Sequence, residues 1–156
     1  MGTLLERIDG RSPIGVDSAP FIYYFEQHPD WFPIVAELFS LSTNAPERAM
    51  LYTSSIILAE VLVLPLREQL TQLYNQYLSV FLNSPSVRIL DIDTNVLLMA
   101  ASLRASYGLR AADAIQISCC IEAGCEVFVT NDKRLQKVKE IEIIVLADCD
   151  SPTIDK

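Results

Sequence analysis

The chain has one histidine, His28, and four cysteines, Cys119, Cys120, Cys125 and Cys149, none of them in a Cys-x-x-Cys pair. A structural zinc site needs about four closely spaced thiolate or imidazole ligands, so it has no basis here. Cys119 and Cys120 lie in an apolar segment, where a reduced thiol behaves as a small hydrophobe. All four cysteines therefore read as structural thiols of a reducing compartment. No apolar run approaches the roughly 20 residues that cross a bilayer. The opening MGTLLERIDGRSP interrupts any hydrophobic signal region with Glu6, Arg7 and Asp9, and position 6 is Glu where myristoylation wants Ser or Thr. A soluble cytoplasmic protein with no membrane contact is the expectation. Basic residues are also scarce, 12 Lys and Arg against 20 Asp and Glu, for a net charge of −8. That balance argues against a nonspecific coat for phosphates but does not exclude an enzyme whose acids hold metal ions.

What is present is apolar content: 51% hydrophobic residues and a mean hydropathy of +0.28 over 156 residues. The expectation is one domain over residues 1–150, with a short helical leader, and a disordered tail at 151–156. Short β-branched runs at 14–16, 51–53, 87–90, 126–130 and 142–146 alternate with longer helical patterns. That alternation predicts an α/β fold with a mainly parallel sheet. The first helix, in DSAPFIYYFEQHP, takes Asp17 or Ser18 as its N-cap and Pro20 in its first turn. WFPIVAELFSL is a second helix, followed by a polar loop, STNAPER. A third helix is capped by Ser54 or Ser55 and ends or kinks near Pro65. REQLTQLYNQYLSVFLNSP places Leu70, Leu73, Tyr77, Val80 and Phe81 at helical spacing. DTNVLLMAASLRASYG, with Asp93 or Thr94 as cap and Gly108 as C-cap, and LRAADAIQISCCIEAG follow; DKRLQKVKE is a short polar helix.

Four acids sit where the local pattern wants an apolar residue or a cap. Asp17 ends the first predicted strand and Asp132 the fourth, and ligands of open α/β sheets gather outside the carboxyl ends of strands. Asp113 is the only charge between Arg110 and Glu122, and Glu60 lies inside the apolar run SIILAEVLVLPL. Each has an ordinary structural explanation. Asp17 and Asp132 could cap helices, Asp113 suits the positive end of a helix dipole, and Glu60 could bond a backbone group or an arginine. Four carboxylates in one place, however, cannot all ionise unless positive charge joins them. Oxygen-only ligands favour Mg²⁺ or Mn²⁺ over zinc, and such ions promote in-line phosphoryl displacement. On that reading Glu60 is a metal ligand or the carboxylate that orients the attacking water.

At these residues the sequence resembles the PIN-domain nucleases, in particular the VapC-type toxins of bacterial toxin–antitoxin pairs. The matching pieces are VDSAPFIYY around Asp17, SIILAEV around Glu60, LRAADAI around Asp113 and VTNDKRL around Asp132, in order across residues 14–147. The resemblance implies a three-layer α/β/α fold around a parallel sheet of about five strands. It implies that Asp17, Glu60 and Asp113 are the principal acids, with Asp132 a fourth that the family varies. Thr130 and Ser18 match supporting hydroxyl positions. Arg110, Lys133 and Arg134, with Lys137 and Lys139, are candidates for a local basic rim against substrate phosphates; the alternative for the distal lysines is a solvated helix face. The implied activity is Mg²⁺- or Mn²⁺-dependent endoribonuclease cleavage, silenced by a small antitoxin protein. Aromatics in FIYYFEQHPDWFPIVAELF, including Phe21, Tyr24, Trp31, Phe32 and Phe39, suit a homodimer or antitoxin interface as well as a core.

Two competitors are weaker. A phosphatase of the haloacid dehalogenase type wants Asp-x-Asp after the first strand, where Ser18-Ala19 follows Asp17, and a receiver domain wants an acidic pair upstream. The alternative from another class is a catalytically silent PIN-like module that binds protein or RNA.

Overall fold

A computed structural model of the chain describes residues 2–152. Five short strands, β1 (Ile14–Val16), β2 (Leu51–Ser54), β3 (Val87–Leu90), β4 (Val127–Thr130) and β5 (Glu142–Val145), form one sheet in the order β3-β2-β1-β4-β5. Every neighbouring pair is parallel. β1 and β4 are buried throughout, as apolar runs covered on both sides must be. One face carries α1 (Leu4–Ile8), α2 (Ser18–Phe25), α3 (Phe32–Asn44), α4 (Ile57–Val61) and α6 (Thr71–Asn83), with α5 (Val63–Arg67) against α6. The other face carries α7 (Thr94–Tyr107) and α8 (Ala111–Glu122). The period-2 geometry of strands divides their side chains between two cores. Val127, Val129 and Ile144 enter the first; Phe128, Ile143 and Val145 enter the second.

From β1 to β3 the chain steps outward across the first face. It then returns over the opposite face, through α7 and α8, to reach β4 on the far side of β1. Parallel crossovers keep a right hand, so reversing the direction of travel moves the crossover to the other face. The connections that leave β1 and β4 therefore diverge, and a crevice opens at the carboxyl ends of these two strands.

All five predicted strands occur, within one residue at most ends. The leader forms α1, closed by a capping box in which the Glu6 amide bonds Thr3 Oγ1 at 3.3 Å and the Thr3 amide bonds Glu6 Oε2 at 2.8 Å. Asp17 and Asp93 are the N-caps of α2 and α7. The polar segment 132–140 forms a 3-10 turn, Lys133–Lys137, rather than an α-helix. Of the expected tail, Ser151 and Pro152 have no regular structure and 153–156 lie outside the described residues. All four cysteines are free thiols.

Other expectations are corrected. STN of the expected loop stays helical in α3, because buried Ser42 donates from Oγ to the Ser86 carbonyl at 3.3 Å. α4 has no side-chain cap from Ser54 or Ser55; Ser54 Oγ accepts instead from the Ile56 amide. The break expected near Pro65 does occur: α4 ends at Leu62 and Pro65 sits in the first turn of α5, with no N–H to donate to the residue four before it. The next helix does not begin at Arg67. Gln69 takes a left-handed backbone (φ 55), and the bonds from Leu70 N to Pro65 O and from Gln69 N to Leu66 O close a Schellman end on α5. Leu70 is thereby left outside α6 and exposed.

Gly15 lets α8 lie close to β1. A Cβ there would stand 2.9 Å from Cys120 Sγ, 3.0 Å from Cys120 Cβ and 3.1 Å from Phe128 Cδ2. Gly15→Ala is expected to destabilise by about 1–3 kcal/mol through overpacking. An unchanged denaturation midpoint would show that the contact gives way freely.

Candidate active site

β1 and β4 run side by side with Val16 paired to Val129, so the next residues, Asp17 and Thr130, end together. Thr130 Oγ1 donates to Asp17 Oδ2 at 2.7 Å and accepts from the Asp132 amide at 3.1 Å. The Ser18 amide donates to Asp17 Oδ1 at 2.8 Å, as an N-cap partner. Both oxygens of a carboxylate only 8% exposed are thus engaged. Burial is the main cause holding the Asp17 carboxyl above its usual range. The bonds from Thr130 and Ser18 oppose it, and repulsion from Asp113 and Asp132 adds to it.

Glu60 comes from the first face, on α4, and Asp113 from the opposite face, in the first turn of α8. Gln116, one turn after Asp113 on the same side of α8, joins them. It donates from Nε2 to Glu60 Oε1 at 3.3 Å, while its Oε1 accepts from Thr53 Oγ1 at 3.2 Å and from the Ser54 amide at 3.0 Å. Burial raises the half-buried Glu60 carboxyl. The Gln116 bond opposes this, Asp17 and Asp113 add repulsion, and Arg110 offsets part of it.

The four acids Asp17, Glu60, Asp113 and Asp132 line one open cleft of about 310 Å³, together with Ser18, Ala19, Tyr23, Arg110, Thr130 and Asn131. That volume lies at the lower end of the range of small-molecule sites. Arg110 Nε bonds Asp113 Oδ2 at 3.1 Å, and Arg134 grips Asp132 through Nε and Nη2, the shortest contact being 2.6 Å. Bonding from Arg134 holds the Asp132 carboxyl below its usual range. Lys133 pairs with Asp148 at 3.1 Å and does not line the cleft, whereas Lys137 lines the hollow beside it with Arg110 and Arg134.

The donor set suits a hard divalent cation: the lining holds carboxylate, hydroxyl and amide oxygens and no thiol or imidazole. Asp17 and Glu60 are both raised in part by repulsion from other acids of the cleft, which a cation would relieve. Among the described residues no three His, Cys, Asp or Glu side chains are gathered tightly enough to grip an ion as they stand. Asp113 and Asp132 are turned onto Arg110 and Arg134, exposed side chains whose pairing is cheap to exchange.

Sequence reasoning missed Gln116, Asn131 and Tyr23. The signal for Gln116 was a polar residue at i+3 from Asp113 inside an apolar helix. Asn131, between Thr130 and Asp132, donates to the Tyr23 hydroxyl at 3.2 Å and accepts from the Ala147 amide at 3.0 Å. Nothing local in the sequence links these three positions.

Two outcomes follow from the burial of these groups. An acid whose native pKa is raised binds more protons folded than unfolded, so its contribution to stability falls as pH rises through that window. In EDTA, Asp17→Asn is expected to unfold at or above the wild-type temperature at pH 7, with the difference closing as pH falls toward the ordinary carboxyl range. A markedly lower unfolding temperature at pH 7 would contradict this. Gln116→Leu strands the Thr53 hydroxyl and the Ser54 amide, and is expected to cost about 1–3 kcal/mol in chemical denaturation.

Comparison with known proteins places this geometry. The PIN domain profile matches residues 14–141. No curated protein matches the chain. Among solved structures, the fold resembles that in the VapBC2 complex of Rickettsia felis bound to a promoter DNA fragment, with TM-score 0.63 and 18% identity over 85% of this chain and 97% of that one. VapC20 of Mycobacterium tuberculosis, a sarcin–ricin loop cleaving toxin, gives TM-score 0.64 and 15% identity over 83% and 98%. A toxin–antitoxin complex from Klebsiella pneumoniae gives TM-score 0.60 and 19% identity over 86% and 98%. At such identities the likeness is one of fold. Since the family match spans most of the sequence, from the first strand to the approach to the last, the chain belongs to the PIN-domain family.

Proposed function

We propose that the protein is a Mg²⁺- or Mn²⁺-dependent endoribonuclease, the cytoplasmic toxin of a toxin–antitoxin pair. The observation that carries this reading is the convergence of four carboxylates, from both faces of the sheet, on one cleft at the ends of β1 and β4, with Arg110 in its lining and Arg134 paired to Asp132 beside it. Asp17, Glu60, Asp113 and Asp132 would hold the ion. Once bound, it supplies Lewis-acid stabilisation of the attacking and leaving oxygens of an in-line displacement at phosphorus.

The chain's own groups divide the remaining work. Thr130 and the Ser18 amide fix the Asp17 carboxylate, so it would meet a cation without reorganisation. Among the described residues Glu60 is tethered on Oε1 alone, by Gln116, which leaves Oε2 to orient a water and accept its proton. Arg110 and Arg134, released from Asp113 and Asp132, would pair with phosphates on either side of the scissile bond. This local supply of positive charge suits a nucleic-acid substrate despite the net charge of −8. The solved relatives described as VapBC or toxin–antitoxin complexes support an antitoxin partner. Exposed Val63, Leu66 and Leu70, and Leu97 and Leu98 on α7, provide apolar surface for it or for a second copy of the chain.

The pairing of Arg110 and Arg134 with two of the acids also supports a second reading, a silent PIN-like module that binds RNA or protein without turnover. RNA cleavage with added Mg²⁺ or Mn²⁺ separates the two. Wild-type protein is expected to cut, and Asp113→Asn and EDTA are each expected to abolish cutting while the fold remains. Equal cleavage by Asp113→Asn would locate the chemistry elsewhere, and metal-independent binding without cleavage would favour the module.

A further inference from the structure

We infer that Tyr23, backed by Trp31, is the wall on which an unstacked nucleobase of the substrate rests beside the acidic cleft. This rests on the nuclease reading above and adds to it a subsite for one base of the substrate.

Tyr23 lies on α2, six residues after Asp17, and lines the same cleft as the four acids. Its position is held from two sides. Asn131, tied to the Ala147 amide, donates to the Tyr23 hydroxyl at 3.2 Å. Asn131 falls between Thr130, which holds Asp17, and Asp132, so the ring is registered to the acids by one three-residue segment. On the other side, the Tyr23 ring stacks on Trp31 with centroids 6.1 Å apart and planes at 23°, and meets His28 at 4.9 Å and 60°. All three rings are half-buried: Tyr23 and Trp31 pack against the core of the first face and keep part of their surface exposed.

Core packing alone explains aromatic contact, but not a tethered ring at the edge of a charged cleft. A stacking surface there answers a physical need. The cleft is acidic and the chain carries a net charge of −8, so charge contributes little affinity for a polyanion beyond Arg110 and Arg134. Stacking of a base on an aromatic ring does not depend on net charge and tolerates any base. Bases inside a duplex are already stacked, so only an unpaired nucleotide can present its face to Tyr23.

The test measures binding in EDTA, where cleavage is stopped, using the full chain and a fluorescently labelled single-stranded RNA oligonucleotide. An abasic ribose-phosphate chain of the same length is the control. Wild type is expected to bind the base-bearing strand about tenfold or more tighter than the abasic chain. That strand alone should quench the fluorescence of Trp31, the single tryptophan. Tyr23→Leu is expected to lose this preference and Tyr23→Phe to keep it. Both variants are checked by thermal unfolding, and the abasic comparison in wild type needs no variant at all. Equal wild-type affinity for the two strands, or an undiminished preference in folded Tyr23→Leu, overturns the proposal. If the protein cleaves RNA yet ignores loss of the bases, only the stacking wall falls. If it neither binds nor cleaves RNA, the nuclease reading falls and the wall with it.

Discussion

The hydrogen bond of 2.7 Å from Thr130 Oγ1 to Asp17 Oδ2 is the contact on which the rest of the cleft depends. It joins the ends of β1 and β4, the two strands from which the chain departs in opposite directions. A carboxylate in this position is costly, because burial disfavours its charge and two other acids face it. The fold offsets part of that cost with the Ser18 amide and the Thr130 hydroxyl and leaves the rest uncompensated. An incompletely neutralised acid at the mouth of a crevice is electrostatically poised for a cation, and Glu60, raised by burial and by Asp17 and Asp113, extends the same condition.

A second constraint is the distance across the sheet. Glu60 reaches the cleft from one layer of helices and Asp113 from the other, and the only route between them runs past the carboxyl edge of the central strands. Gly15 allows α8 to approach β1 to within van der Waals limits, and Gln116 ties α8 to β2 and to Glu60 through three hydrogen bonds. The two acids are therefore placed by packing and by a buried amide rather than by contact with each other. At the rim, Arg110 and Arg134 cover the acids that burial does not hold, which keeps the outer cleft nearly neutral while leaving it open.

Legibility in the sequence followed the physics of each element. The strands were readable because both faces of a parallel sheet are buried, which writes each one as a short apolar run between polar ends. Helix starts marked by Asp17 and Asp93 were readable because a side-chain oxygen capping backbone amides is a local device. Helix ends at Gln27 and Gln69 were not, since glutamine there adopts the left-handed backbone that pattern reading expects of glycine. The helical state of Ser42 was also hidden, because its hydroxyl is satisfied by Ser86, 44 residues away.

The sequence by itself determined the layer order of the fold and picked out Asp17, Glu60, Asp113 and Asp132, because a charge within an apolar run or at a strand end is anomalous wherever the chain goes. Tertiary structure alone decided that the four share one cleft, that Gln116 and Asn131 hold its walls, that Tyr23 stands at its edge and that Lys133 turns away to Asp148. Those outcomes depend on pairings between residues 15 to 113 positions apart. Contacts of that kind leave no mark in local composition, since any polar side chain can serve until the fold supplies its partner.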